Sequence, residues 1–290
     1  MSGGNGLRSG GQVLVDQLRI HGVDTIFCVP GESYLTVIDA LHDAQNEIKT
    51  VACRQEGGAT NMAEAYGKLT GKPGVAMVTR GPGACNGSIG VHTAMQDSTP
   101  MVIFIGQVAR DQEYREAFQE VDYHKFYGAI CKEVVQIDHA DRVPELVSQA
   151  FHVAASGRPG PVAVSIPEDM QRDMVDVADA RPFITVRSEV GPQAMADFRA
   201  QLAVSERPLM IVGGAGWSEK ACADIQAFAE ANAVPVAASF RCQDTFDNMH
   251  ANYAGELGTS ASPKLTARLK GSDLLIVVGS RLGEMTTGGY

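Results

Sequence analysis

Residues 51–67 read VACRQEGGATNMAEAYG. A short apolar run ends in a lone glutamate, Glu56, and passes straight into a helix rich in glycine and alanine. That order predicts a carboxylate at the carboxyl end of a strand, beside residues small enough for a flat ligand to approach the backbone. Residues 75–86, VAMVTRGPGACN, repeat the arrangement with a strand, a Gly-Pro-Gly turn and a helix, and FCVPGE at 27–32 supplies a third edge. Such edges frame a single crevice.

From about Gly10 to Pro167 short apolar runs alternate with helical periodicity, the signature of stacked βαβ units and a parallel sheet covered on both faces. The runs are Thr25 to Val29, Thr50 to Cys53, Val75 to Thr79, Met101 to Gly106, Glu133 to Ile137 and Val162 to Ile166. The predicted fold class is α/β, a doubly wound parallel sheet over residues 1–180 followed by an incomplete Rossmann-like domain over 190–290. Glu168 to Gln193 is charge-rich, carries Pro182 and Pro192, and reads as the connection. The second series offers strands at Leu209 to Val212, Val234 to Ala238 and Leu274 to Gly279, with a helix from about Ser218 to Asn232. Three strands make a thin layer, so another chain or a missing remainder is expected to complete it.

The 290 residues are 44% hydrophobic and 20% charged, which describes a globular chain rather than a disordered or fibrous one. Net charge is -10 and the 24 Lys and Arg form no run, which argues against a nucleic-acid surface. No segment reaches the roughly 20 apolar residues of a membrane span, and the start, MSGGNGLRSGGQ, lacks a secretory core; a cytoplasmic location is expected. The six cysteines show no Cys-x-x-Cys and no His at metal-ligand spacing, so free thiols are expected and no metal site.

Arg54-Gln55-Glu56-Gly57-Gly58-Ala59, the helix through Asn61, Met62, Ala63 and Tyr66, and Gly81-Pro82-Gly83-Ala84-Cys85-Asn86 resemble the pyrimidine-binding domain of thiamine diphosphate enzymes of the acetolactate synthase group. The resemblance implies that Glu56 is catalytic, sharing a proton with the aminopyrimidine so that its exocyclic nitrogen becomes a base. An apolar enclosure favours a shared proton on such a carboxyl and a helix N-terminus opposes it, and the sequence leaves that balance open. Read alone, Glu56 is better taken as a helix-capping residue, and the surrounding pattern reverses that preference. Gln55 stands where the group carries histidine. Pro30, Gly31, Thr79, Gly81, Pro82 and Asn86 are the further cofactor-binding residues that the resemblance implies. It places Gly31 at a dimer interface and Gly31, Phe118, Gln119 and Lys132 near substrate, the middle pair within Ala117-Phe118-Gln119-Glu120. Arg80 replaces a small Ser or Thr; an anion contact and a surface charge are equally good readings.

The turn Gly213-Gly214-Ala215-Gly216 follows a strand and precedes a helix, but the dinucleotide fingerprint is incomplete, since Glu219 stands where Gly or Ala belongs. In the group this turn lies in the central domain, where FAD or another nucleotide binds in some members. The magnesium ion and diphosphate are expected on a separate C-terminal domain carrying Gly-Asp-Gly and Asn-Asn, neither of which occurs in this chain. The resemblance thus implies the N-terminal part of a 2-oxo acid decarboxylase or carboligase, inactive by itself and assembled as a homodimer or tetramer. A non-catalytic nucleotide-binding module and an assembly subunit are the alternatives.

Overall fold

The computed structural model describes residues 6–186 and 188–290. Contacts divide the chain into two units, Met1–Arg187 and Ser188–Tyr290. In the first, the elements run β1 (Arg8–Ser9), α1 (Gly10–Ile20), β2 (Thr25–Cys28), α2 (Leu35–Asp43), β3 (Lys49–Ala52), α3 (Glu56–Thr70), β4 (Gly74–Val78), α4 (Pro82–Asp97), β5 (Met101–Gln107), α5 (Tyr123–Tyr127), β6 (Glu133–Gln136), α6 (Val143–Ala155), β7 (Pro161–Pro167) and β8 (Met174–Val175).

Six of these strands form one parallel sheet in the order β3-β2-β4-β5-β7-β6. β4, β5 and β7 are buried at every position, as strands covered on both faces must be. Their alternation sorts the core into two layers. Val75, Met77, Val102 and Phe104 pack with Leu14 and Leu18 of α1, Val37 of α2 and Phe151 of α6. Ala76, Val78, Ile103 and Ile105 pack with Ala63 of α3, Val91 of α4 and the α5 tyrosines. The chain moves outward from β2 to β3, then returns to place β4 on the other side of β2. The strand order therefore reverses between β2 and β4, and a crevice opens at the carboxyl ends of that pair.

The segment read as a bare connection is held down over most of its length. β8 pairs antiparallel with β1. Arg8 bonds Asp179 and the Val177 carbonyl, Gln17 bonds Asp179 and Ala180, and the Phe183 N–H donates to Nδ1 of His21. Pro192 and Gln193 open a helix instead of closing the link, because proline suits the first helical position, whose N–H has no partner within the helix.

The second unit contains α7 (Pro192–Val204), β9 (Pro208–Val212), α8 (Glu219–Ala231), β10 (Val236–Ala238), β11 (Tyr253–Glu256), α9 (Pro263–Lys270), β12 (Leu274–Val278) and α10 (Glu284–Thr287). Its sheet is parallel and four-stranded, ordered β11-β10-β9-β12, one strand more than the sequence suggested. β11 escaped notice because all four of its residues are half-buried and one is Gly255, so it shows neither an apolar run nor an alternation.

Candidate active site

The crevice between β2 and β4 is built by three turns. α3 begins at Glu56 itself, and its cap is Gln55, whose side-chain oxygen accepts the Gly58 N–H at 3.0 Å. The residue that departs from the histidine pattern thus performs the capping expected of Glu56, leaving the Glu56 carboxylate free to turn toward α4. There Oε2 accepts from Asn86 Nδ2 at 3.0 Å. Oε1 lies beside Gly83, only 3.4 Å from where a side chain at that position would begin. Glu56 is half-buried.

The Gly-Pro-Gly turn is fixed from beneath by α5. The Gly81 N–H donates to the Tyr123 hydroxyl at 2.9 Å, and the Tyr127 hydroxyl donates to the Ala84 carbonyl at 2.5 Å. Burial pushes the Tyr123 phenol up to about 12, so it stays protonated. Gly81 has φ 59 and ψ -110, a conformation open in practice to glycine alone, and it packs directly on the backbone of Gln119. Thr79 lies so close to Gly31 that no side chain fits there, and its hydroxyl sits 2.8 Å from that of Ser33. Behind this contact the buried Tyr34 hydroxyl donates to the Val29 carbonyl at 2.5 Å. Burial first, then the charges of Cys28 and Glu56, push the Tyr34 phenol upward.

Pro30, Gly31, Glu56, Thr79, Gly81, Pro82 and Asn86 therefore lie along one edge of the sheet, and Gln119 joins them through Gly81. Phe118 is 73% exposed at the same edge. The Glu120 carboxylate accepts the N–H groups of Tyr114 and Ala117, which closes the loop on itself and holds the carboxyl below its usual range. Arg80 is neither a surface charge nor open to solvent. Its side chain is 11% exposed and pairs with Glu32 and Glu168.

Lys132 is not brought together with these residues. It precedes β6, its N–H bonds the Pro161 carbonyl at the start of β7, and its ammonium donates to the Val153 and Ser156 carbonyls that end α6. This is the amino edge of the sheet, roughly 20 Å of strand away from Glu56. Burial pushes this amine below its usual value, and the nearby Arg158 adds to the effect. Ser33, Tyr34, Tyr123 and Tyr127, which the sequence reading did not single out, hold the turns instead.

In the second unit the Gly213–Gly216 turn is packed from within. Trp217 Nε1 donates to the Gly213 carbonyl at 2.9 Å, Gly214 lies against Gly279, and the Ser218 hydroxyl accepts the Ala221 N–H at the start of α8. Among the described residues no group of three His, Cys, Asp or Glu is arranged to hold a metal ion. The half-buried carboxylate, its amide partner and the glycine beside it suit a planar nitrogen heterocycle.

Residues 8–126 match the N-terminal TPP binding domain of thiamine pyrophosphate enzymes, and residues 195–290 match the central domain of the same enzymes. The chain belongs to the thiamine pyrophosphate enzyme family, of which it carries these two domains. Among its relatives is the acetolactate synthase large subunit of Parasynechococcus marenigrum, 38% identical over 97% of this chain and 47% of that protein. The isozyme 2 large subunit of Escherichia coli is 36% identical over 97% of this chain and 51% of its own length. The large subunit of Lactococcus lactis is 33% identical over 95% and 48% respectively. The chain spans about half the length of the curated relatives it matches.

Proposed function

We propose that this chain supplies the pyrimidine-holding half of an acetolactate synthase-like enzyme, which decarboxylates a 2-oxo acid such as pyruvate and passes the two-carbon unit to an acceptor. The observation that carries the reading is Glu56 at the first position of α3, bonded to Asn86 across the reversal point of the sheet. When bound, thiamine diphosphate supplies the electron sink that decarboxylation needs. Glu56 holds a proton between its carboxyl and a nitrogen of the pyrimidine ring, and Asn86 keeps that carboxyl from rotating away. Gly31, Gly81 and Gly83, lacking side chains, let a flat ring lie near Thr79 and Pro82. Pro30 stiffens the opposite rim. Phe118 offers an apolar wall and Gln119 an amide for the carboxylate or carbonyl of the oxo acid.

Several parts of the reading lie with other parts of the assembly. The magnesium ion and diphosphate belong to a domain outside these residues, one that carries Gly-Asp-Gly and Asn-Asn. The exposed apolar residues Met62, Leu69 and Ile89 on α3 and α4 favour a homodimer or tetramer. FAD, if carried, would meet the second unit at the Gly213–Gly216 turn, and visible flavin absorbance after purification is its test. A cytoplasmic location is part of the same reading; no helix among the described residues is long and apolar enough to cross a membrane. In the full-length enzyme, Glu56→Gln is expected to lower pyruvate decarboxylation by more than about 100-fold with the melting temperature unchanged. Near-normal turnover in that variant overturns the assignment.

A further inference from the structure

Arg80 lies in the turn between β4 and α4, and each nitrogen of its guanidinium serves a different segment. Nη1 donates to Glu168 Oε2 at 2.8 Å just beyond β7, Nη2 to Glu32 Oε1 at 3.2 Å after β2, and Nε to the Phe118 carbonyl at 3.3 Å in the loop after β5. Its backbone N–H donates to Ser33 Oγ at 3.1 Å. One cation thus fastens the carboxyl ends of four strands that are consecutive in the sheet, β2, β4, β5 and β7. The forked, planar guanidinium spreads its donors over three nitrogens, whereas an ammonium carries all of its donors on one atom and lacks that reach.

These bonds leave the Glu56 turn untouched: they join the β4 turn to Glu32, Glu168 and the Phe118 loop, and none goes to α3. The Glu56 side keeps its own supports, with Gly81 held by Tyr123, Ala84 by Tyr127 and Glu56 by Asn86. The Phe118–Gln119 loop is closed on itself by Glu120 and is held to the β4 turn by two neighbouring contacts, Gln119 packing on Gly81 and Arg80 holding the Phe118 carbonyl. Gln119 has φ 65, outside the usual range for its residue type, so the loop needs external support to keep that shape.

We infer that Arg80 is a positioning residue, which sets the Phe118–Gln119 loop over the crevice and thereby governs affinity for the 2-oxo acid while leaving thiamine diphosphate affinity unchanged. The inference rests on the functional reading above. Its test uses the full-length enzyme with Arg80→Gln and Arg80→Lys, pyruvate as the probe and hydrogen exchange as a readout that needs no activity. Arg80→Gln is expected to raise the KM for pyruvate about tenfold or more, with kcat and the Kd for thiamine diphosphate within about twofold of wild type. Exchange across residues 114–120 should accelerate about tenfold while α4 is unaffected. Arg80→Lys, which keeps the charge but not the fork, should remain clearly impaired. Unchanged exchange in the loop, a parallel rise in KM and cofactor Kd, or wild-type behaviour of Arg80→Lys overturns the inference. Failure of the wild-type enzyme to bind thiamine diphosphate refutes the functional reading instead, and loop exchange in Arg80→Gln then decides by itself whether the fastening exists.

Discussion

Gly81→Ala tests whether the Gly-Pro-Gly turn is as tightly determined as its surroundings indicate. With φ at 59 and ψ at -110, an alanine here is strained whatever space it finds, at a cost of about 1–3 kcal/mol. Space is also lacking, since the new Cβ would begin 2.7 Å from both Cβ and the carbonyl oxygen of Gln119. Ordinary carbon contacts are about 3.5–4.0 Å, so the loop must retreat by about 1 Å. Such overpacking adds about 1–3 kcal/mol, which brings the expected loss to about 4 kcal/mol. For a unit of this size each kcal/mol shifts the midpoint by about 2–4 °C, so the transition should fall by about 12 °C in calorimetry of the full-length protein. Gly58→Ala is the matched control: Gly58 lies in the first turn of α3 with no atom within 4 Å of the added carbon. It should be neutral or stabilising by about 0.5 kcal/mol. A Gly81→Ala protein melting within about 2 °C of wild type would refute the strain and the contact together.

Two further outcomes follow from groups outside the crevice. His21 stacks on Phe151 at 5.1 Å, accepts the Phe183 N–H, and is held below its usual value by burial. The unfolded chain therefore takes up this proton first, so stability is fully present above about pH 6.5 and declines as pH falls toward the lowered folded value. Between about pH 7.5 and 5.5 the wild-type midpoint should drop more steeply than that of His21→Gln, and parallel curves would exclude the effect. Lys132→Met strands the carbonyls that end α6 and should cost about 1–2 kcal/mol. Because Lys132 lies at the amino edge of the sheet, the KM for pyruvate should stay within about twofold in the full-length variant, and a larger rise would return the residue to the substrate site.

The sequence was most legible where burial is complete. β4, β5 and β7 read as mainly apolar runs, interrupted by Gln107 and Ser165, because both faces of the central sheet are covered. Glu56 and the Gly-Pro-Gly turn were legible for a related reason: a strand-turn-helix order fixes the edge on which a turn must lie. Tyr123 and Tyr127 were not, because their partners stand 42 and 43 residues away and nothing local to YHKFY announces them. Arg80 was visible as an oddity, yet its partner Glu168 is 88 residues distant and only strand order brings the two together. Lys132 carries a positional signal of its own. A residue immediately before a parallel strand sits at the amino edge, away from the crevice.

That 88-residue separation of Arg80 from Glu168 also imposes a schedule on the nascent protein. At a ribosomal pace of about 5–20 residues per second, the arginine emerges about 4–18 s ahead of the second of its two carboxylate partners. During that interval the early strands can pair while Arg80 has only Glu32, the first of its two carboxylates, within reach. A binding-competent edge is therefore expected only after translation has passed the final strand of the first sheet, so that ligand capture reports a finished unit.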